Sequence, residues 1–124
     1  MARAILLSAG RDPSLLFTRR KVLEAAGYSV VTAATPIELI SQFFSGDFDL
    51  AILCHTIPFE EKQKISSLIR GHSPSTSILA LSDVLGQFWS FVDETVANDP
   101  VALLAAIPEL IQKSGHRQGS FGAS

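Results

Sequence analysis

Val22-Leu23-Glu24-Ala25-Ala26-Gly27-Tyr28-Ser29-Val30-Val31 changes its period in the middle, and that change decides the fold. Up to Ala26 the apolar residues continue the spacing of Leu15, Leu16, Val22 and Leu23, one face of a helix. Gly27 can adopt the left-handed backbone that ends a helix at least cost. From Ser29 to Ala33 the chain becomes a short β-branched run, which reads as a strand. One ten-residue window therefore contains a helix, its stop and a strand.

The same grammar extends in both directions. Upstream, Ala4 to Ala9 is a short apolar run, followed by Asp12-Pro13, an N-cap residue with proline at the first helical position. Downstream, Thr35-Pro36-Ile37-Glu38 is a capping box opening a second helix that stops at Gly46. Leu50 to Cys54 and Ser77 to Leu81 are further buried-type strands, and a weaker fifth falls at about Phe91 to Val96. A third helix near Glu61 to Arg70 closes at Gly71. The last starts at Asp99-Pro100 and carries Leu103, Leu104, Ile107, Leu110 and Ile111, with a kink or break expected at Pro108 because proline cannot donate to the Leu104 carbonyl. Continuous strands alternating with amphipathic helices specify an α/β fold, a parallel sheet covered on both faces.

Composition narrows the function. The 124 residues fit one domain, expected over 1–113, and the apolar-poor stretch 114–124 reads as a disordered tail or linker remnant. Net charge is −2 and the ten basic residues are scattered apart from Arg19-Arg20-Lys21 in the first helix, so no nucleic-acid footprint is present. The apolar run Ile5-Leu6-Leu7 is too short for a signal peptide, and no stretch approaches a membrane span. A single cysteine, Cys54, excludes an intrachain disulfide and suits a cytoplasmic setting. Charged residues are only 18% and mean hydropathy is +0.30, which means either a well-filled core or apolar surface that needs a protein partner.

The order and spacing of these segments resemble bacterial response-regulator receiver domains from about Ala4 to Lys113. The most specific stretches are Asp12-Pro13-Ser14-Leu15-Leu16, Val22 to Val30, Gly46-Asp47-Phe48-Asp49-Leu50, and Pro58 four positions after Cys54. The resemblance implies a flavodoxin-like three-layer sandwich with strand order 2-1-3-4-5 and a site at the carboxyl ends of the strands. It also implies two acidic residues for magnesium, an aspartate that takes the phosphoryl group, a hydroxyl after strand four and a lysine after strand five. Here the acidic pair falls on Gly10 and Arg11, or on Arg11 and Asp12; the phosphoacceptor position on Cys54; the hydroxyl on Ser82; the lysine on Asn98. Only Ser82 matches.

Magnesium takes a shell of oxygen ligands, which Gly10 and Cys54 do not supply. Two unit charges at about 4 Å interact by about 4 kcal/mol at an effective dielectric near 20, so Arg11 either excludes a cation or replaces its charge, unless it is a solvated loop residue. No metal, cofactor or catalysis is expected. Cys54 reads as a small buried hydrophobe, or as a redox sensor if Arg11, His55 or a helix N-terminus favours its thiolate. Ser82 and Asn98 also read as local turn residues, and an anion or nucleotide held by Arg11 and Ser82 is a third possibility.

Asn98 follows Ser82 by 16 positions, whereas in the family this interval is roughly six residues longer, almost two turns of helix. A shortened fourth helix is therefore expected. Phe88 and Trp89 within it are candidates for an exposed interface anchor or for an inward cover of the sheet. The expected function is a phosphorylation-independent receiver-like module that signals by protein–protein contact. Its partner, another protein or a second copy, would bind at the fourth helix, fifth strand and fifth helix. The rival is a Cys54 redox or small-ligand sensor.

Overall fold

The protein is described by a computed structural model covering residues 4–84 and 89–123, with side chains through residue 112. Elements follow in the order β1 (Ile5–Ala9), α1 (Pro13–Ala25), β2 (Ser29–Ala33), α2 (Pro36–Ser45), β3 (Leu50–Leu53), α3 (Phe59–His72), β4 (Ser77–Ser82), β5 (Glu94–Ala97) and α4 (Pro100–Ala123). The strands form one parallel sheet of order β2-β1-β3-β4-β5, the expected flavodoxin-like arrangement.

Successive strand residues point to opposite faces, and the core divides accordingly. Leu7, Ala51, Leu53, Ile78 and Ala80 face α2 and α3, meeting Leu39, Phe43, Ile65 and Ile69. Leu6, Leu50, Ile52, Leu79 and Leu81 face α1 and α4, meeting Leu23, Leu103, Ile107 and Leu110. Both neighbours in each strand are thus buried, which is why the strands read as unbroken apolar runs rather than alternating ones.

Polar residues fix where the elements begin. Asp12 caps α1, its Oδ1 accepting from the amides of Ser14 and Leu15 at 3.0 and 3.4 Å. Gly27 takes φ 102°, the left-handed turn into β2. Thr35 Oγ1 accepts from the Glu38 amide at 3.1 Å, and Glu38 reaches back to the Ala34 amide at 2.7 Å, one residue earlier than a standard capping box. In Asp47-Phe48-Asp49, Asp49 accepts from the Ile5 amide at 2.8 Å and so satisfies the entry of the neighbouring strand β1. Asp93 does the same for β4, accepting from the Ile78 amide at 2.7 Å while Arg70 holds it at 3.1 Å.

Several boundaries differ from the sequence reading. Gly71 lies inside α3, which continues to His72. β5 starts at Glu94, not Phe91, because Phe91 and Val92 turn into the α3-side core instead of joining the sheet. α4 passes through Pro108 without a break and stays helical to Ala123, past the expected domain edge at residue 113. Between β4 and β5 no helix occurs among the described residues; residues 85–88, including Phe88 and the centre of the expected short fourth helix, lie outside them.

Candidate functional site

At the carboxyl edge of the sheet the backbone gathers the ends of β1, β3, β4 and β5. The Cys54 amide donates to Ala9 at 2.8 Å, Gly10 to Ala33 at 3.1 Å, and Asn98 to Ser82 at 3.0 Å. These short ladder bonds bring Gly10, Cys54, Ser82 and Asn98 together as the sequence implied.

Arg19, part of the basic run Arg19-Arg20-Lys21 in the first helix, joins them. From the middle of α1 its Nη1 donates to Cys54 Sγ at 3.4 Å and its Nη2 to Asn98 Oδ1 at 3.0 Å. A guanidinium has several fixed donors and stays charged at any ordinary pH, so it can bridge two acceptors and add a permanent positive charge. The signal was present in the sequence: Arg19 is four residues after Leu15 and three and four before Val22 and Leu23, on the buried stripe of its helix.

The chain of contacts continues outward. Asn98 Nδ2 donates to Asp83 Oδ1 at 3.3 Å, and Asp83 Oδ2 lies 3.3 Å from His55 Nε2. His55 Nδ1 is 3.5 Å from Cys54 Sγ, closing a ring of Arg19, Cys54, His55, Asp83 and Asn98. With a neutral imidazole the ring is satisfied in one sense: the thiol donates to Nδ1 and Nε2–H donates to the carboxylate. Cys54 is 1% exposed and sits beneath this polar lid.

The other sequence candidates are committed elsewhere. Arg11 pairs with Glu61 through one edge of its guanidinium, Nε at 3.1 Å from Oε2 and Nη2 against Oε1, and its amide donates to Thr56 Oγ1 at 2.8 Å. Asp12 is consumed by the α1 cap. The Ser82 hydroxyl bonds within its own turn, accepting from the Val84 amide at 3.0 Å and donating to the Val84 carbonyl at 3.2 Å. Arg11 and Ser82 thus bond to different partners, Glu61 and Thr56 for the one and Val84 for the other. At Gly10 an added Cβ would stand 2.9 Å from the Cys54 Cβ, so no longer side chain fits without movement.

This donor set does not fit magnesium. A hard divalent ion needs a shell of oxygen ligands, usually anchored by carboxylates, and the site offers a sulfur, a glycine, a bridging guanidinium and one carboxylate, Asp83, that is already held by His55 and Asn98. Among the described residues no group of three or more His, Cys, Asp or Glu side chains is arranged so that it could hold a metal ion.

Lys62 on α3 is a further unforeseen member. It is 4% exposed, with Nζ 4.3 Å from the centre of the Trp89 ring. Burial pushes its ammonium below the ordinary lysine value, an effect that the negative forms of Cys54 and Asp83 partly offset. Trp89 stacks on Phe91, with centroids 6.1 Å apart and planes at 17°, and packs partly buried against the α3-side core. Of its two sequence readings, the inward cover describes this position.

The fold is that of CheY-like receiver domains. A receiver domain from Methanospirillum hungatei superposes with a TM-score of 0.80 at 20% identity, covering 94% of this chain and 99% of that one. The response regulator TrrA of Thermotoga maritima, solved with Mg²⁺ and BeF, gives 0.76 at 23%, covering 86% and 98%. TrrA in complex with the histidine kinase ThkA gives 0.74 at 24%, covering 86% and 97%. No protein-family model and no curated protein sequence matches the chain. No helix among the described residues is long and apolar enough to cross a membrane.

Proposed function

We propose that the chain is a receiver-like signalling module that works without phosphorylation and without catalysis, by protein–protein contact in the cytoplasm. The observation that carries this reading is the Arg19 bridge from Cys54 to Asn98. In a phosphorylatable receiver the corresponding positions hold a carboxylate and a lysine, and the charge balance changes when phosphate and metal arrive. Here a sulfur and a neutral amide share one covalently tethered cation, so the balance is already set. The fold likeness, and the kinase-bound state of one neighbour, support a role in two-component signalling.

Incubation with acetyl phosphate and magnesium, followed by intact mass measurement, tests this directly. The expected result is an unchanged mass; a gain of one phosphoryl group overturns the reading. A second reading has one observation in its favour: Arg19 and His55 both place nitrogen within hydrogen-bonding reach of Cys54 Sγ, surroundings that suit a reactive thiol. Iodoacetamide labelling of the native protein separates the two. A rate as slow as that of a buried thiol excludes the sensor.

A further inference from the structure

The α2–α3 side of the molecule carries an apolar surface that the strand-end site does not use. Ile37, Ile40 and Phe44 recur at helical spacing along α2 and are 81%, 44% and 48% exposed, and Phe59 at the start of α3 is 50% exposed. These residues form a second apolar stripe beside the buried one of Leu39 and Phe43. Next to it runs a groove of about 710 Å³ between the helices, lined by Pro36 and Ile40 on one side and Pro58, Phe59, Ile65 and Leu68 on the other.

We infer that this face is the contact between two copies of the chain, packed groove to groove about a two-fold axis. Two arguments select a second copy. The first is charge. Glu60 and Lys64 border the groove one helical turn apart, and neither has an ion-pair partner among the described residues. With the two-fold axis perpendicular to α3 and passing between positions 60 and 64, the two α3 helices run antiparallel, Glu60 of each copy meets Lys64 of the other, and the rim complements itself. The second is area. The four exposed side chains present on the order of 400 Å² of apolar surface, about half of the roughly 800 Å² that each partner buries in a stable interface. An apolar centre of that share with a polar rim is the usual anatomy of a dimer contact.

The surface differs from the one expected from the sequence, the region of the fourth helix, fifth strand and fifth helix, and it rests on the interaction-module reading only for its purpose. A dimer that also accepted phosphate would keep this interface and refute only the silent site.

Sedimentation equilibrium of the full chain from about 5 to about 500 µM, a range that spans micromolar affinity, tests the inference. The wild type is expected to approach twice the monomer mass. Ile37→Glu, at a position too exposed to disturb folding, should weaken dimerisation by about 30-fold or more, as central anchors do, with an unchanged circular dichroism spectrum. Glu60→Lys should weaken it several-fold, and Glu60→Lys combined with Lys64→Glu should restore it. A wild type that stays monomeric throughout, or a dimer indifferent to Ile37→Glu and to the charge exchange, overturns the assignment.

Discussion

Removing the Arg19 guanidinium is the most direct test of the site. Its bond to Asn98 Oδ1 at 3.0 Å is charge-assisted, a class worth about 1.5–3 kcal/mol when shielded from water. Both side chains are half-buried, so competition from solvent reduces that to about 1 kcal/mol. The contact to Cys54 Sγ at 3.4 Å adds less, and the aliphatic stem packs along a small cleft with Leu15, Val22 and Leu103. Arg19→Ala should therefore cost about 2 kcal/mol in all, a fall of roughly 6–10 °C in melting temperature for a domain of this size. Asn98 also holds Asp83, so single substitutions mix two bonds, and a double-mutant cycle with Asn98→Ala isolates the one of interest. Urea unfolding of the four proteins should yield a coupling near 1 kcal/mol, and Cys54 should react faster with iodoacetamide in Arg19→Ala. A coupling below about 0.3 kcal/mol, with labelling of Cys54 unchanged, would mean that Arg19 is solvated and does not organise the pocket.

Three further outcomes follow from individual contacts. Burial lowers the Lys62 ammonium from its ordinary value. Between that lowered value and the unfolded value of about 10.4 the unfolded chain binds more protons, so stability should rise with pH in that interval by at most about 1.4 kcal/mol per unit. Lys62→Met should abolish this rise in urea titrations, and its persistence would place the titration elsewhere. The Ser66 hydroxyl is buried without a hydrogen-bond partner among the described residues; Ser66→Ala should leave stability unchanged or raise it by up to about 1 kcal/mol, and a clear loss would reveal a missed partner. Gly10→Ala should cost about 1–3 kcal/mol through overpacking against the Cys54 β carbon. Cys54→Ala retains that carbon and should not relieve the penalty, whereas an equally stable Gly10→Ala protein would show that the pocket yields.

The architecture was legible because its signals are local. Asp12-Pro13, Gly27 and Thr35-Pro36-Ile37-Glu38 each act within one turn of chain, and the structure uses each near its expected place. Reading failed where tertiary packing overrides a local preference. Gly71 is a good helix terminator, yet α3 continues one residue past it. Pro108 removes one hydrogen bond, but Ile107 and Leu110 on either side are fully or almost fully buried, and that packing holds the helix together. At the site, the strand ends were placed correctly because topology fixes them. Their partners were not, since Arg19 and Lys62 arrive from helices distant in sequence, and only the full fold shows which long side chains reach the pocket.

On the proposed reading, the fixed charges explain why a receiver fold can keep one surface without a phosphorylation cycle. Switching requires that the strand-end pocket have two charge states and that the segment after β4 respond to them. Here that segment is held at both described ends. Asp83 is held by His55 and Asn98, and Trp89 by Lys62 and Phe91. The cation that bridges Cys54 and Asn98 is Arg19, which is covalently tethered to the chain. A clamp made of the chain's own side chains does not depend on a phosphoryl group arriving, so Asp83 and Trp89 are held without a phosphorylation cycle.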